Sequence, residues 1–519
     1  MQRHQLPPRA AFGTLLLVLL LAVSGVITAQ EESPLIAAAK RNDETAVRDL
    51  LNAGIDPDSQ QADGATALHW AVHRENLGII ETLLDAGAEV NASNRLGATP
   101  LFIAAESGNA EFIRRLLDAG ADPDSALKLG ETPLMTAARA GSAIGVQLLI
   151  AAGVNVNTSE SSRKQTALMW AAAQGHLAVV QELIKAGADL EARTLVRPRL
   201  MYADETNGGA FDAGILEQLG GFSPLLFAAR NGHVDVASAL LDAGAEIDAV
   251  AGNQASPLVV AAHSGHTKLA QMLLERGADA NAIGAGYNAL HAAILRGDRS
   301  LVLALLDHGA DPNVRLQRPN WVQRSSEDWA LRTAMVGATP YWIAASFREA
   351  EIMRALVDGG AEPLLTNLEL YRPIRDRESR DNPPPPEVIG GFETPLQAAI
   401  KGDSTRDRFY VTPNPDPVGE EKLALAAVLV AAEHGVNLNH ADFTGSTAIH
   451  DAASRNLGTI VRALAEQGAD IYALDGAGRT PLDWARIAER RTSFFGFDLS
   501  VPGPTANEVL QEYGASSPR

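Results

Sequence analysis

Polar and apolar positions along this chain fall into one figure that is used eleven times. A Ser, Thr or Asn is followed by Pro or Ala, then by Leu, Tyr or Ile, and opens a short Ala-rich run. The openings stand at Ser33, Thr66, Thr99, Thr132, Thr166, Ser223, Ser256, Asn288, Thr339, Thr394 and Thr447. In ten of the eleven a Gly stands 21 residues later, at Gly54, Gly87, Gly120, Gly153, Gly187, Gly244, Gly277, Gly309, Gly360 and Gly468; after Thr394 it is displaced to Gly435. Where nothing is inserted, the openings recur every 32 to 34 residues. A fixed period of that size predicts a stack of like supersecondary units, each too thin to bury its apolar face alone.

Residues 66–91 show the chemistry of one period. Thr66 is an N-cap whose hydroxyl can accept from amides of the first helical turn, and in sister units Pro100 and Pro133 fill the first helical position. Leu68, Ala71, Ile79, Leu83 and Leu84 supply the apolar faces of two short helices, and the small Ala residues let them stack closely. Gly87 ends the second helix in the left-handed region, where a side chain would clash.

These residues resemble the ankyrin repeat, with Thr99-Pro100-Leu101, Thr66-Ala67-Leu68-His69 and Leu116-Leu117-Asp118-Ala119-Gly120-Ala121 near its consensus. The resemblance covers residues 33–485 and implies an all-α ankyrin-type helical solenoid of about twelve repeats, with short hairpin fingers and four insertions. The expected organisation is a signal peptide at 1–29, repeats 1–5 at 30–192, an insertion at 193–220, and repeats 6–8 at 221–314. An insertion at 315–337, repeat 9 at 338–364 and an insertion at 365–392 follow. Repeat 10 spans 393–446 with an internal insertion at 403–421, repeat 11 spans 447–478, and 479–519 form a capping repeat and tail. In that cap Thr480-Pro481-Leu482 opens a degraded repeat, and Thr505 with Glu508 forms a capping box for a final short helix.

Charge and composition narrow the setting. Arg3 and Arg9 precede an apolar stretch at 11–23 and the small-residue site Ile27-Thr28-Ala29, the pattern of a secretory signal cut after Ala29. The alternative is an uncleaved membrane anchor, because residues 10–29 are uncharged for 20 residues. An exported location, periplasmic or secreted, is therefore expected. The chain has no cysteine, which removes thiol catalysis and Cys-based metal sites. Net charge is 43 − 63 = −20, or 41 − 63 = −22 once Arg3 and Arg9 leave with the signal. Such a balance argues against nucleic acid as a partner, since backbone binding needs a basic field. No second apolar run approaches membrane-spanning length.

The insertions break the acidic composition. Stretches 193–220, 315–336, 366–392 and 403–421 contain no Lys but thirteen Arg, among them Arg197 and Arg375, together with Trp321, Trp329, Tyr202, Tyr371 and Tyr410. Arg with Trp and Tyr is the residue set enriched at interface hot spots. The competing reading is that these aromatics pin each loop to its own scaffold and the arginines pair with nearby Asp and Glu.

The family resemblance places two residues after each Ala-rich run on the concave surface. Seven of the eleven pairs hold Lys or Arg, including Arg74, Arg139, Arg230 and Arg296, and one holds an acid. This predicts a basic stripe on an acidic body, although basic residues there are also common in generic repeats.

No catalytic constellation appears. His69, His291 and His450 sit in the capping tetrapeptide as structural hydrogen-bonders, and no HExxH, GxSxG or phosphate-loop pattern is present. Trp70, Trp170 and Trp484 recur at one repeat position, which marks them as packing residues. The expected function is a monomeric, non-enzymatic interaction scaffold without cofactor or metal. Its partner is another protein with an acidic or carboxylate-bearing surface. The alternative is a small-ligand or glycan receptor using the aromatic insertions.

Overall fold

Each opening tripeptide starts a helix. The computed structural model describes residues 33–202, 214–318, 331, 335–368, 392–402, 417–495 and 503–515, and among these it forms 24 helices and one two-stranded sheet. The helices come in twelve antiparallel pairs. The first members are α1 Pro34–Lys40, α3 Ala67–His73, α5 Pro100–Ser107, α7 Pro133–Ala140, α9 Ala167–Gln174, α11 Pro224–Asn231, α13 Pro257–Ser264 and α15 Ala289–Arg296. They continue with α17 Pro340–Ser346, α19 Pro395–Lys401, α21 Ala448–Ser454 and α23 Pro481–Phe495. The second members alternate with them, from α2 Glu44–Asn52 through α18 Ala350–Asp358, α20 Pro417–Glu433 and α22 Gly458–Glu466 to α24 Ala506–Glu512.

Capping chemistry sets the starts. Thr99 Oγ1 accepts from the Phe102 amide at 3.2 Å, and Thr132, Thr166, Ser223, Ser256 and Thr339 do the same in their own repeats. All eleven repeat-end glycines, Gly435 included, have positive φ. Between the helices, Gly232 meets two demands at once. Its φ is +79°, and a Cβ there would lie 2.5 Å from Nδ1 of His266, which belongs to the next repeat.

The core is a single ribbon of buried apolar side chains running through every repeat. In repeat 2, Leu68, Ala71, Ile79 and Leu83 are fully buried, each large side chain stabilising by about 1.5–3 kcal/mol. First helices pack on first helices without a break, including α9 on α11 across the 193–220 insertion and α17 on α19 across 365–392. Backbone-capping side chains carry the same register between fingers. Asn281 accepts from the Asp311 amide at 2.8 Å and donates to Gly309 O at 2.9 Å. Asn313 does so to Glu362 and Gly360 across the 315–337 insertion. Inserted residues therefore leave the stack and return to it in register.

Two local features add to the predicted architecture. Within 193–220 the finger lengthens into an antiparallel hairpin, β1 Arg197–Tyr202 with β2 Gly214–Leu219, paired from Arg197 opposite Leu219 to Tyr202 opposite Gly214. Helix α20 begins at Pro417, inside the stretch 403–421 assigned to the fourth insertion, and runs 17 residues. At the C-terminal end Thr505 and Glu508 form the capping box of α24, and Tyr472 Oη donates to Gly514 O at 3.0 Å.

Candidate functional site

The surface that could receive a partner lies in the angle between the first helices and the fingers. Its floor is set in six repeats by the residue four places after the opening, which in repeat 4 is instead the fully buried Thr136. Trp70, Ile103, Trp170, Phe227, Val260 and Trp484 occupy that position and are all half-buried. Three of the indoles at this height or one place before it reach the finger. Trp70 Nε1 donates to Gln61 Oε1 at 3.2 Å, Trp484 Nε1 to Asp475 Oδ2 at 2.9 Å, and Trp342 Nε1 to Glu393 O at 3.1 Å. The recurring tryptophans are thus packing residues on one face and open groove surface on the other.

Cations stand over this floor. Lys40 Nζ lies 4.6 Å from the Trp70 ring centroid and the Arg139 guanidinium 4.9 Å from that of Trp170, each reaching from the preceding repeat. Arg230 sits 5.9 Å from the Phe222 ring, which itself packs 5.4 Å from Phe227. Arg479 lies 4.0 Å over Trp484. Lys40, Arg139, Arg230, Arg296 and Lys401 all fall in the last turn of a first helix. There a positive charge also complements the helix dipole, so part of the basic bias has a purely structural cause.

The structure separates the predicted stripe residues. Arg74 caps α3 and Arg230 ends α11, and both are exposed. Arg139 is partly committed, to Glu106 at 3.4 Å and Glu131 at 3.9 Å. Burial raises the Glu131 carboxyl above its ordinary range, against the lowering effect of Arg139. Arg296 is not a free groove cation, because its Nε donates to His263 O at 2.7 Å and so closes the end of α13. The pairs of repeats 3, 5 and 7 hold no Lys or Arg, and Leu295, Ser346 and Phe347 of repeats 8 and 9 are buried, so the basic positions are interrupted along the stack.

Four of the described insertion arginines hold the scaffold together. Arg193 donates to Gly221 O at 3.2 Å and Val250 O at 2.9 Å, and Arg315 to Gly337 O at 2.5 Å and Thr366 O at 2.9 Å. Arg318 ties Ala285 O, Asn253 O and Gly284 O to Glu217 of the hairpin. Arg197, although exposed, donates to Ser162 O at 2.8 Å. These four bond mainly to backbone carbonyls, with Glu191 and Glu217 as the acidic partners of Arg193 and Arg318. Trp321, Trp329, Tyr371 and Arg375 lie outside the described residues, and Tyr202 ends β1 with its side chain outside them.

The histidines serve the fold. His69 Nδ1 accepts from the Thr66 amide at 3.1 Å, and Nε2 lies 3.0 Å from Ala98 O of the next finger. Burial depresses its pKa, and pushes that of His291 down to about 4. His176, His233 and His266 each place Nε2 within 3.2 Å of a first-helix carbonyl of the repeat before, at Arg139, Ala173 and Arg230. Among the described residues no cluster of His, Asp or Glu is arranged to hold a metal ion.

A stack of helix pairs with projecting fingers and an open groove defines a helical-repeat binding protein. The chain belongs to the ankyrin repeat family. A sequence model of ankyrin repeats in three copies matches residues 10–94, 35–127, 101–194, 204–284 and 225–316, together more than half of the chain, and a second ankyrin model matches 429–485. The chain is also similar to the crystal structure of the human ASB11 ankyrin repeat domain, at 27% identity over 47% of this chain and 98% of that one, with a TM-score of 0.39. No curated protein matches it. Ankyrin repeats mediate protein–protein binding and are typically non-enzymatic.

Proposed function

We propose that the chain is exported and acts outside the cytoplasm as a protein-binding scaffold that holds an acidic segment of its partner in the groove of repeats 1–7. One observation carries this reading. Half-exposed Trp70, Ile103, Trp170, Phe227 and Val260 form an apolar floor, and Lys40, Arg74, Arg139 and Arg230 stand beside it on a chain of net charge −20. Aromatic faces supply contact area at low entropic cost, and guanidinium groups select carboxylates in bidentate geometry. The insertions after repeats 5, 8 and 9 each fall between a repeat-end glycine and the next opening, the last two beyond repeat 7. Trp321, Trp329, Tyr371 and Arg375 would then meet a partner long enough to extend past repeat 7.

The test begins with the stoichiometric partner recovered from envelope extract or medium, its affinity measured against wild type and two variants. Trp70→Ala with Trp170→Ala should weaken binding by more than tenfold through lost contact area, on the scale of hot-spot truncations. Arg74→Glu with Arg230→Glu should slow association and flatten its salt dependence. Unchanged affinity in both variants would remove the groove from the proposal. Export is tested separately: an N-terminus at Gln30 by mass spectrometry supports it, and an intact Met1 on a membrane-bound product supports the anchor.

A further inference from the structure

Repeat 11 places an acid where repeats 2, 5 and 6 place an aromatic ring. Asp451 stands four residues after Thr447, the floor position of Trp70, Trp170 and Phe227, and is only 8% exposed. It faces an ammonium already in demand. Lys401 Nζ contacts Glu393, lies 3.3 Å from Asp442 Oδ2 and 3.6 Å from Asp451 Oδ2. Three carboxylates thus converge on one cation in a largely buried setting, and like charges so confined disfavour full ionisation.

The surroundings decide which carboxyl takes the proton. Asp442 accepts from the Thr444 amide at 2.8 Å, Thr444 Oγ1 at 2.6 Å and the Ser446 amide at 3.1 Å, which together with Lys401 hold it ionised below the usual carboxylate range. Glu393 has the closest contact with Lys401. Asp451 has the longest distance to Lys401 and one further donor, Gln397 Nε2 at 3.4 Å. Other charged groups around it are engaged or opposed. On its own helix His450 is held by Thr447 and Arg479 O, and Arg455 lowers the Asp451 pKa. From the neighbouring elements, Asp475 pairs with Arg479, Asp483 is taken by Thr480, and Arg462 of α22 pairs with Glu512 of α24.

We propose that the junction between repeats 10 and 11 is a proton-linked latch, in which Asp451 takes up a proton as α21 closes on Lys401 and releases it as the junction loosens. Burial, the leading cause, pushes the Asp451 carboxyl up to about 7. An acid whose folded pKa is raised contributes stability that is full below its unfolded value, near 4, and is lost as pH rises through about 7. His450 works in the other direction. Burial depresses its pKa, so its contribution is present above its unfolded value of 6.5 and lost as pH falls. The wild-type pH profile mixes the two, and a variant of Asp451 separates them. The latch stands independently of the partner reading above.

The experiment compares hydrogen exchange of α21 amides in the full chain, wild type against Asp451→Asn, from pH 5 to pH 8. Asn matches the protonated acid in shape and charge, so the ratio of wild-type to variant opening should rise by about a hundredfold between pH 5 and pH 8. A ratio independent of pH overturns the latch. Should Asp451→Asn fail to fold, carboxyl-13C-aspartate NMR of the wild-type chain decides. One resonance titrating between pH 6 and 8 supports the proposal, and none in that window refutes it.

Discussion

The groove of repeats 2–6 and the junction of repeats 10–11 are built on the same backbone position and treat charge in opposite ways. In repeats 2 and 5 the floor residue is a half-exposed indole, and the cation beside it, Lys40 or Arg139, rests on its face within reach of solvent. At repeats 10–11 the floor residue is Asp451, and the cation Lys401 is enclosed by three carboxylates. The first arrangement keeps the cation at the surface at small internal cost, since an exposed cation–π contact stabilises by about 0.5–1 kcal/mol. The second spends its charge inside the fold, where removing one member leaves buried charges uncompensated. Identical repeats therefore do not imply identical roles along the stack.

The largest effect should come from Lys401→Met. With Asp442 and Glu393 left facing Asp451, repeats 10–12 should lose about 3–5 kcal/mol at pH 8, read as early local unfolding of α21 in urea. The loss should shrink at pH 5 as Asp451 protonates. Lys40→Met, the same change at the other end, should cost less than about 1 kcal/mol. Equal losses at the two sites would dissolve the contrast.

Next in size is the acid sensitivity of the histidine caps. His291 is fully buried with a pKa near 4, so its contribution is present above its unfolded value of 6.5 and falls away as pH drops toward 4. Over that interval the loss approaches about 3 kcal/mol. His291→Gln should abolish it in a denaturant series at stepped pH. Repeat 10 already uses this solution, because Gln397 closes the capping box of α19.

Gly232→Ala should cost about 2 kcal/mol, combining the left-handed backbone with displacement of the His266 ring. Gly478→Ala, at φ +75° with nothing within 4 Å of the added methyl, should cost about half of that. Matching thermal shifts would mean that the inter-repeat histidine contact carries no strain. The smallest expected change is Arg74→Glu, which should leave the unfolding midpoint within about 0.5 kcal/mol because Arg74 is exposed.

Much of the architecture was legible before any coordinates. Caps and glycines act within a few residues of themselves, so the figure read at Thr99 or Gly120 needs no distant partner to predict a helix start or end. The groove was legible only as a register. Arg74 and Arg296 hold the same position, eight residues after their openings, but Arg74 is exposed and Arg296 reaches back to His263 O. The pairing of Arg197–Tyr202 with Gly214–Leu219 was not foreseen, because it joins two segments of an insertion that the repeat pattern does not specify.

What the sequence determined by itself is the period, the helix termini and the identity of the floor position, all consequences of short-range capping and backbone conformation. Which cations remain exposed, which arginines are drawn into carbonyl contacts, and how Glu393, Asp442 and Asp451 converge on Lys401 were decided only by the tertiary structure. Those outcomes depend on desolvation and on distances between residues as far as 101 positions apart in the chain, as for Arg318 and Glu217, and no local pattern encodes either quantity.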